Sequence, residues 1–198
     1  MSNAFRVLFV CTANQCRSAM AEAVAQDELA RAAGGAGVQL EFASAGTHAL
    51  AGSPATNGTV MVLRERGIDL ARHRASELDA GVLAAADLIL TMTADHIGLV
   101  LAWERSASRR TFTLGGFLRA ITAARRAGFS AGTPDELVDL ANEHHQDVAA
   151  DDLPDPVGQG PAAYEACAER IGELVRPLVR ALASTAKPTR AGSSKPAW

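Results

Sequence analysis

The sequence has little cysteine, little aromatic surface and no long apolar run, and each shortage removes a class of function. Three cysteines in 198 residues cannot build a disulfide framework; they suit a reducing compartment in which a thiol stays available for chemistry. Aromatic residues make up 5% of the chain, too few for a base-stacking nucleic-acid surface. An excess of one charge is missing as well: a net charge of −3 gives no electrostatic pull toward nucleic acid or an anionic membrane. No stretch approaches the ~18 consecutive apolar residues of a membrane span, and no basic-then-apolar leader precedes the strand-like run that begins at Phe5. These exclusions predict a cytoplasmic protein without nucleic-acid or membrane partners, and no pattern sets its oligomeric state.

What is present is a hydrophobic content of 48%, enough for one well-filled core in a single domain. Four strand-like segments, Phe5–Val10, Val38–Ser44, Asp87–Met92 and Thr111–Leu114, alternate with helical ones. Val7–Val10 and Leu88–Leu90 are apolar on consecutive residues, as expected of strands covered on both faces. Helices are expected from Arg17 to the Gly34-Gly35 stop, over Thr59–Arg66 before Gly67, from Thr93 toward Trp103, and through the periodic Tyr164–Leu182. This alternation predicts an α/β fold, an open four-stranded parallel sheet with helices on both faces. Within a domain over 1–183, Phe117–Ala150 reads as an added region with helices at Leu118–Arg126 and Pro134–His145. The tail over 184–198, rich in Ser, Pro, Lys and Gly, reads as disordered.

The stretch Cys11-Thr12-Ala13-Asn14-Gln15-Cys16-Arg17-Ser18 joins the first strand to the first helix, beyond the carboxyl end of the sheet, where such folds bind ligands. A loop entering a helix N-terminus offers backbone N–H groups, here those of Thr12 to Ser18, to a phosphate-sized anion. Arg17 adds a forked cation matched to two phosphoryl oxygens. The same field favours the thiolate of Cys11, a nucleophile able to form a phosphocysteine intermediate. Ser18 can donate a hydrogen bond to that sulfur. Cys16 reads either as a small packing residue or as the partner of a reversible disulfide with Cys11. Cys167 falls on the apolar stripe of the last helix and reads as core. The leaving group needs a proton, and Asp155, held extended by Pro156, competes for that role with Asp151 and Asp152. Neither a metal nor a cofactor is expected: His144 and His145 are adjacent and face different sides of a helix.

Val7–Glu22 resembles the opening signature of the low-molecular-weight protein tyrosine phosphatases: cysteine, five residues, arginine, serine. Ser44-Ala45-Gly46-Thr47, Gly67-Ile68-Asp69, His73-Arg74, Asp87–Leu90 and Asp155-Pro156 agree with the family in order. The resemblance implies a phosphoprotein phosphatase with Cys11 as nucleophile, Arg17 as phosphoryl ligand and Asp155 as acid, then base. Asn14 would hold the loop shape, Ser18 would support the thiolate and His73 would brace Asn14. Four positions depart from the family pattern. Ala13 replaces a glycine, which implies strain in a tight turn, and Ala19 replaces a proline. Gln15 and Val157 stand where an apolar and an aromatic residue would clasp a phosphotyrosine ring. Thr91-Met92-Thr93 and Asp155–Gly158 resemble instead the bacterial branch containing protein-arginine phosphatases. Phosphotyrosine is therefore the first substrate class and phosphoarginine the second. The rivals are an arsenate reductase using an external thiol and a non-catalytic phosphate-binding module.

Overall fold

Consecutive apolar residues in the first strand need cover on both sides, and they have it. In β1 (Phe5–Cys11) Phe5, Val7, Phe9 and Cys11 join one buried cluster, while Leu8 and Val10 join another on the opposite face. The computed structural model describes residues 4–32, 38–144 and 152–185. Its sheet adds β2 (Leu40–Gly46), β3 (Leu88–Thr91) and β4 (Thr111–Thr113), all parallel in the order β2-β1-β3-β4. β2 starts and ends two residues later than the sequence pattern suggests, because its bounds are set by pairing: Phe5 lies opposite Leu40 and Cys11 opposite Gly46. β1 leads to β2 on one side and borders β3 on the other, so the chain reverses direction across the sheet at the end of β1.

The larger cluster holds α1 (Arg17–Arg31), α5 (Leu114–Arg126), α6 (Pro134–His144) and α7 (Pro161–Ala183). Ala19, Ala21, Ala23 and Ala25 line the buried side of α1, and their short side chains let it lie close to the sheet and α7. The helices expected as an addition send Phe117, Ala120, Ile121, Leu137, Val138 and Ala141 into this same core. The smaller cluster packs α3 (Ala80–Ala85) and α4 (Ala94–Trp103) on the other face. α2 (Asn57–Arg64) joins the larger cluster through Val62 and Leu63 and packs beside α7.

Capping accounts for several shifted boundaries. α2 begins at Asn57 because Thr56 Oγ1 accepts from Thr59 N, and α5 begins at Leu114 because Thr113 Oγ1 accepts from Gly116 N. α1 ends at Arg31, ahead of the glycines at 34 and 35, which lie outside the described residues. So do Asp151, His145 and the tail beyond Thr185; Ser184, at the start of that tail, still caps α7. Among the described residues no helix is long and apolar enough to cross a membrane.

Candidate active site

The loop between β1 and α1 closes around a buried asparagine. Asn14 is the only non-glycine residue among those described with a positive φ, at 53°, a left-handed conformation that asparagine tolerates better than most residues. The backbone tension expected at Ala13 is therefore taken by its neighbour. Four contacts hold Asn14 there. Its Nδ2 donates to Ser18 Oγ at 2.9 Å and to Ser44 Oγ at 2.7 Å. Its Oδ1 accepts from Ser76 N at 2.8 Å, and its carbonyl oxygen lies 2.6 Å from His73 Nε2. Every polar atom of this side chain is used, as a fully buried amide requires.

Cys11 ends β1 with only 3% of its surface exposed, and Ser18 Oγ lies 3.0 Å from its sulfur. Arg17, in the first turn of α1, is buried too. Its Nη1 donates to Leu153 O at 3.0 Å and its Nη2 to Asp155 Oδ2 at 2.6 Å. Asp155 is half exposed at 46% of its side-chain surface, and Val157 N donates to its Oδ1 at 3.2 Å. The sulfur, the guanidinium and one carboxyl group thus meet at one end of the sheet. Asp152 is committed elsewhere: its Oδ1 accepts from Ala94 N at 2.7 Å, at the start of α4.

The floor of the loop is the end of β2. Thr47 N donates to Cys11 O and His48 N to Thr12 O, both at 2.9 Å. A Cβ at Gly46 would sit 2.6 Å from Thr12 O and 2.8 Å from Asn14 N. Only glycine lets the loop lie this low, which gives the Ser44–Thr47 segment a physical role. Gly46→Ala must displace the loop backbone, and we expect kcat/KM for an aryl phosphate to fall by about 10²-fold with folding retained. Activity within about threefold of wild type would show that the floor is not required.

Beneath Asn14, Ser44 Oγ donates to Glu22 Oε2 at 2.6 Å and Gln26 Nε2 donates to Glu22 Oε1 at 2.9 Å. Burial pushes the Glu22 carboxyl above its ordinary value of 4.5, against the opposing bond from Ser44 and the charge of His73. A raised carboxyl takes up its proton in the fold before the unfolded chain does, so stability falls as pH rises from 4.5 through the folded value. Glu22→Gln, with the exposed Gln26 amide turned to match, should raise the melting temperature at neutral pH and lose that gain below about pH 4. An equal gain at both pH values would contradict this sign.

Of the two readings of Cys16, this structure holds the packing one. All three cysteines are free, and Cys16 shares a side-chain hydrogen bond with Cys167 between α1 and α7. That bond and burial push the Cys16 thiol up. Glu22, Ser44 and Gly46 lie in segments that resemble the family, but nothing in the sequence assigns any of them a role, and no motif singles out His96, whose ring lies between Thr12 and Thr93; their roles depend on which segments pack together.

Comparison with known proteins shows the family. Residues 6–128 match the family model described as low molecular weight phosphotyrosine protein phosphatase. The chain is 39% identical over 114 residues to a protein-arginine-phosphatase of Geobacillus stearothermophilus, covering 58% of this chain and 72% of that one. It is 38% identical over 109 residues to the probable low molecular weight protein-tyrosine-phosphatase EpsP of Ralstonia solanacearum, covering 55% and 70%. Among solved structures, a low molecular weight protein tyrosine phosphatase from T. tengcongensis superposes with a TM-score of 0.68 at 30% identity, over 89% of this chain and 99% of that one. A YwlE arginine phosphatase mutant with a phosphorylated active-site serine gives a TM-score of 0.69 at 27% identity, over 91% and 97%.

Proposed function

From its membership of the low molecular weight phosphotyrosine protein phosphatase family, shown by a family match over most of the chain, we propose that this protein hydrolyses phosphorylated protein side chains through a phosphocysteine. The observation that carries the reading is the meeting of Cys11, Ser18, Arg17 and Asp155 at the mouth of one loop.

The two steps follow from the chemistry of these groups. A phosphoryl dianion enters the loop among the N–H groups of Thr12 to Ser18, and Arg17 turns its Nη2 from Asp155 to a phosphoryl oxygen. Its Nη1 remains on Leu153 O, which keeps the fork aimed. Cys11 Sγ forms the S–P bond as the P–O bond breaks, or the P–N bond of a phosphoarginine, and Asp155 gives its proton to the departing atom. Asp155 then takes a proton from water as that water attacks phosphorus. The S–P bond breaks, and Ser18 donates to the leaving sulfur. Asn14 and His73 keep the loop in shape throughout.

Phosphotyrosine is the first substrate class, and phosphoarginine is the second on a specific observation. The loop residue Gln15 is polar and partly exposed, and the acid segment presents Val157, 52% exposed, where a ring would clasp an aryl group. One relative bears the name protein-arginine-phosphatase, and another bears the name probable low molecular weight protein-tyrosine-phosphatase EpsP. The reading places the protein in the cytoplasm and needs neither metal nor cofactor. Phosphate release from an aryl phosphate and from matched phosphotyrosine and phosphoarginine peptides tests it. Thiol-dependent arsenate reduction without phosphate release would replace this reading, and phosphate binding without either activity would leave only a binding module. Gln15→Ile should shift the peptide preference toward phosphotyrosine by about tenfold, the scale of a modest pocket contact. An unchanged ratio would show that Gln15 does not select.

A further inference from the structure

His96 stands in the first turn of α4, 5% exposed, and none of the steps above uses it. Both of its ring nitrogens are engaged: Nδ1 lies 2.6 Å from Thr93 Oγ1 and Nε2 lies 3.0 Å from Thr12 Oγ1. Each hydroxyl both donates and accepts, so either tautomer of the neutral ring satisfies the pair. Thr12 directly follows Cys11, and its side chain is exposed at the rim of the loop. The imidazole therefore reaches from the helix interior to the first peptide of the anion loop.

The same short stretch of chain also carries the acid segment. Ala94 N donates to Asp152 Oδ1 at 2.7 Å, and Leu153 N donates to Met92 O at 2.8 Å. Residues 92–96 are thus bonded on one side to Thr12 and on the other to the segment that ends in Asp155. Arg17 also bridges these two parts, through Leu153 O and Asp155, but the mechanism requires it to leave Asp155 for the phosphoryl group, so that Leu153 O is its one remaining bond to the acid segment. The path through Thr12, His96 and the start of α4 stays closed beside it while Arg17 changes partner.

We propose that His96 is a positioning residue, holding the Thr12 hydroxyl so that the nucleophile loop keeps its distance from the acid segment when Arg17 changes partner. The charged groups facing the ring are Arg17, Asp95, Asp152 and Asp155; burial and the Arg17 guanidinium outweigh the three carboxylates and push its pKa below the ordinary imidazole value. The uncharged ring is the form present at neutral pH, and it adds no second cation beside Arg17. The role rests on the phosphatase reading.

Two amides separate positioning from simple packing. A glutamine can bring an amide to the place of Nε2 and keep the bond to Thr12, whereas an asparagine reaches only the place of Nδ1 and keeps Thr93. His96→Asn and Thr12→Val should each lower kcat/KM for an aryl phosphate by about tenfold, and His96→Gln by less than about threefold. Thr12→Val/His96→Asn should fall no further than either single variant. A second readout needs no turnover: protection of Cys11 from iodoacetate by inorganic phosphate should require about tenfold more phosphate in His96→Asn and Thr12→Val but not in His96→Gln. Wild-type protein that is protected but releases no phosphate would sink the phosphatase reading while leaving this series to be read. Equal behaviour of the Gln and Asn variants, additive losses in the double variant, or a Thr12→Val protein like wild type would each overturn the role of His96. Thr12→Val removes a single exposed hydroxyl, so it tests the bond even where a His96 variant fails to fold.

Discussion

Cys11→Ser lowers phosphate release by at least about 10³-fold, the scale on which removing a covalent nucleophile acts, and leaves the fold and inorganic phosphate binding in place. The substitution exchanges sulfur for oxygen in a side chain 3% exposed at the end of the central strand, so packing changes little. Chemistry changes most: an alcohol is a weak nucleophile without an adjacent base, and among the described residues the sulfur's side-chain hydrogen-bond partner is the hydroxyl of Ser18, which is not a base. Arg17 and the loop N–H groups, which are proposed to bind the anion, are untouched. Phosphate release from an aryl phosphate and phosphate binding by calorimetry check the two halves separately. A Cys11→Ser protein within tenfold of wild type would remove covalent catalysis from the account.

Asp155→Ala lowers kcat by about 10²–10⁴-fold, the usual value of a positioned acid, and the loss depends on the leaving group. A phenolate that departs easily needs little protonation, so the loss should be smallest for p-nitrophenyl phosphate and grow along a series of less acidic phenols. Because alanine also removes the partner of Arg17 Nη2, Asp155→Asn is the control: its amide oxygen can still accept from Arg17, yet the group cannot act as an acid. The two variants should lose activity together. An equal loss for every phenol, or an Asp155→Asn protein with near-normal kcat, would assign Asp155 to Arg17 placement rather than to proton transfer.

Much of this architecture was legible from local pattern. The consecutive apolar residues of β1 and β3 announced strands covered on both faces, and the Cys11–Ser18 order announced an anion loop at a helix start. Six residues of α3 are too few to show a helical period, and what starts that helix is Asp79 Oδ1, which accepts from Val82 N. The loop support was hidden for a different reason. Asn14 meets Ser44, His73 and Ser76 only after β2 and the segment behind it have packed beneath the loop. The constraint on Gly46 likewise exists only because the loop backbone lies within 3 Å of where its Cβ would be. Cys16 illustrates the limit of spacing: its place in the loop suggested Cys11 as a partner, while the fold turns its side chain toward Cys167 on α7.

The most direct test of the central claim is to locate the phosphoryl group in flight. Asp155→Ala protein mixed with p-nitrophenyl phosphate, quenched within milliseconds and mapped by mass spectrometry under conditions that preserve S–P bonds, should carry one phosphoryl group on the peptide containing Cys11. Release of p-nitrophenol with no phosphoryl group on Cys11, or with one on another residue, would contradict the phosphocysteine mechanism.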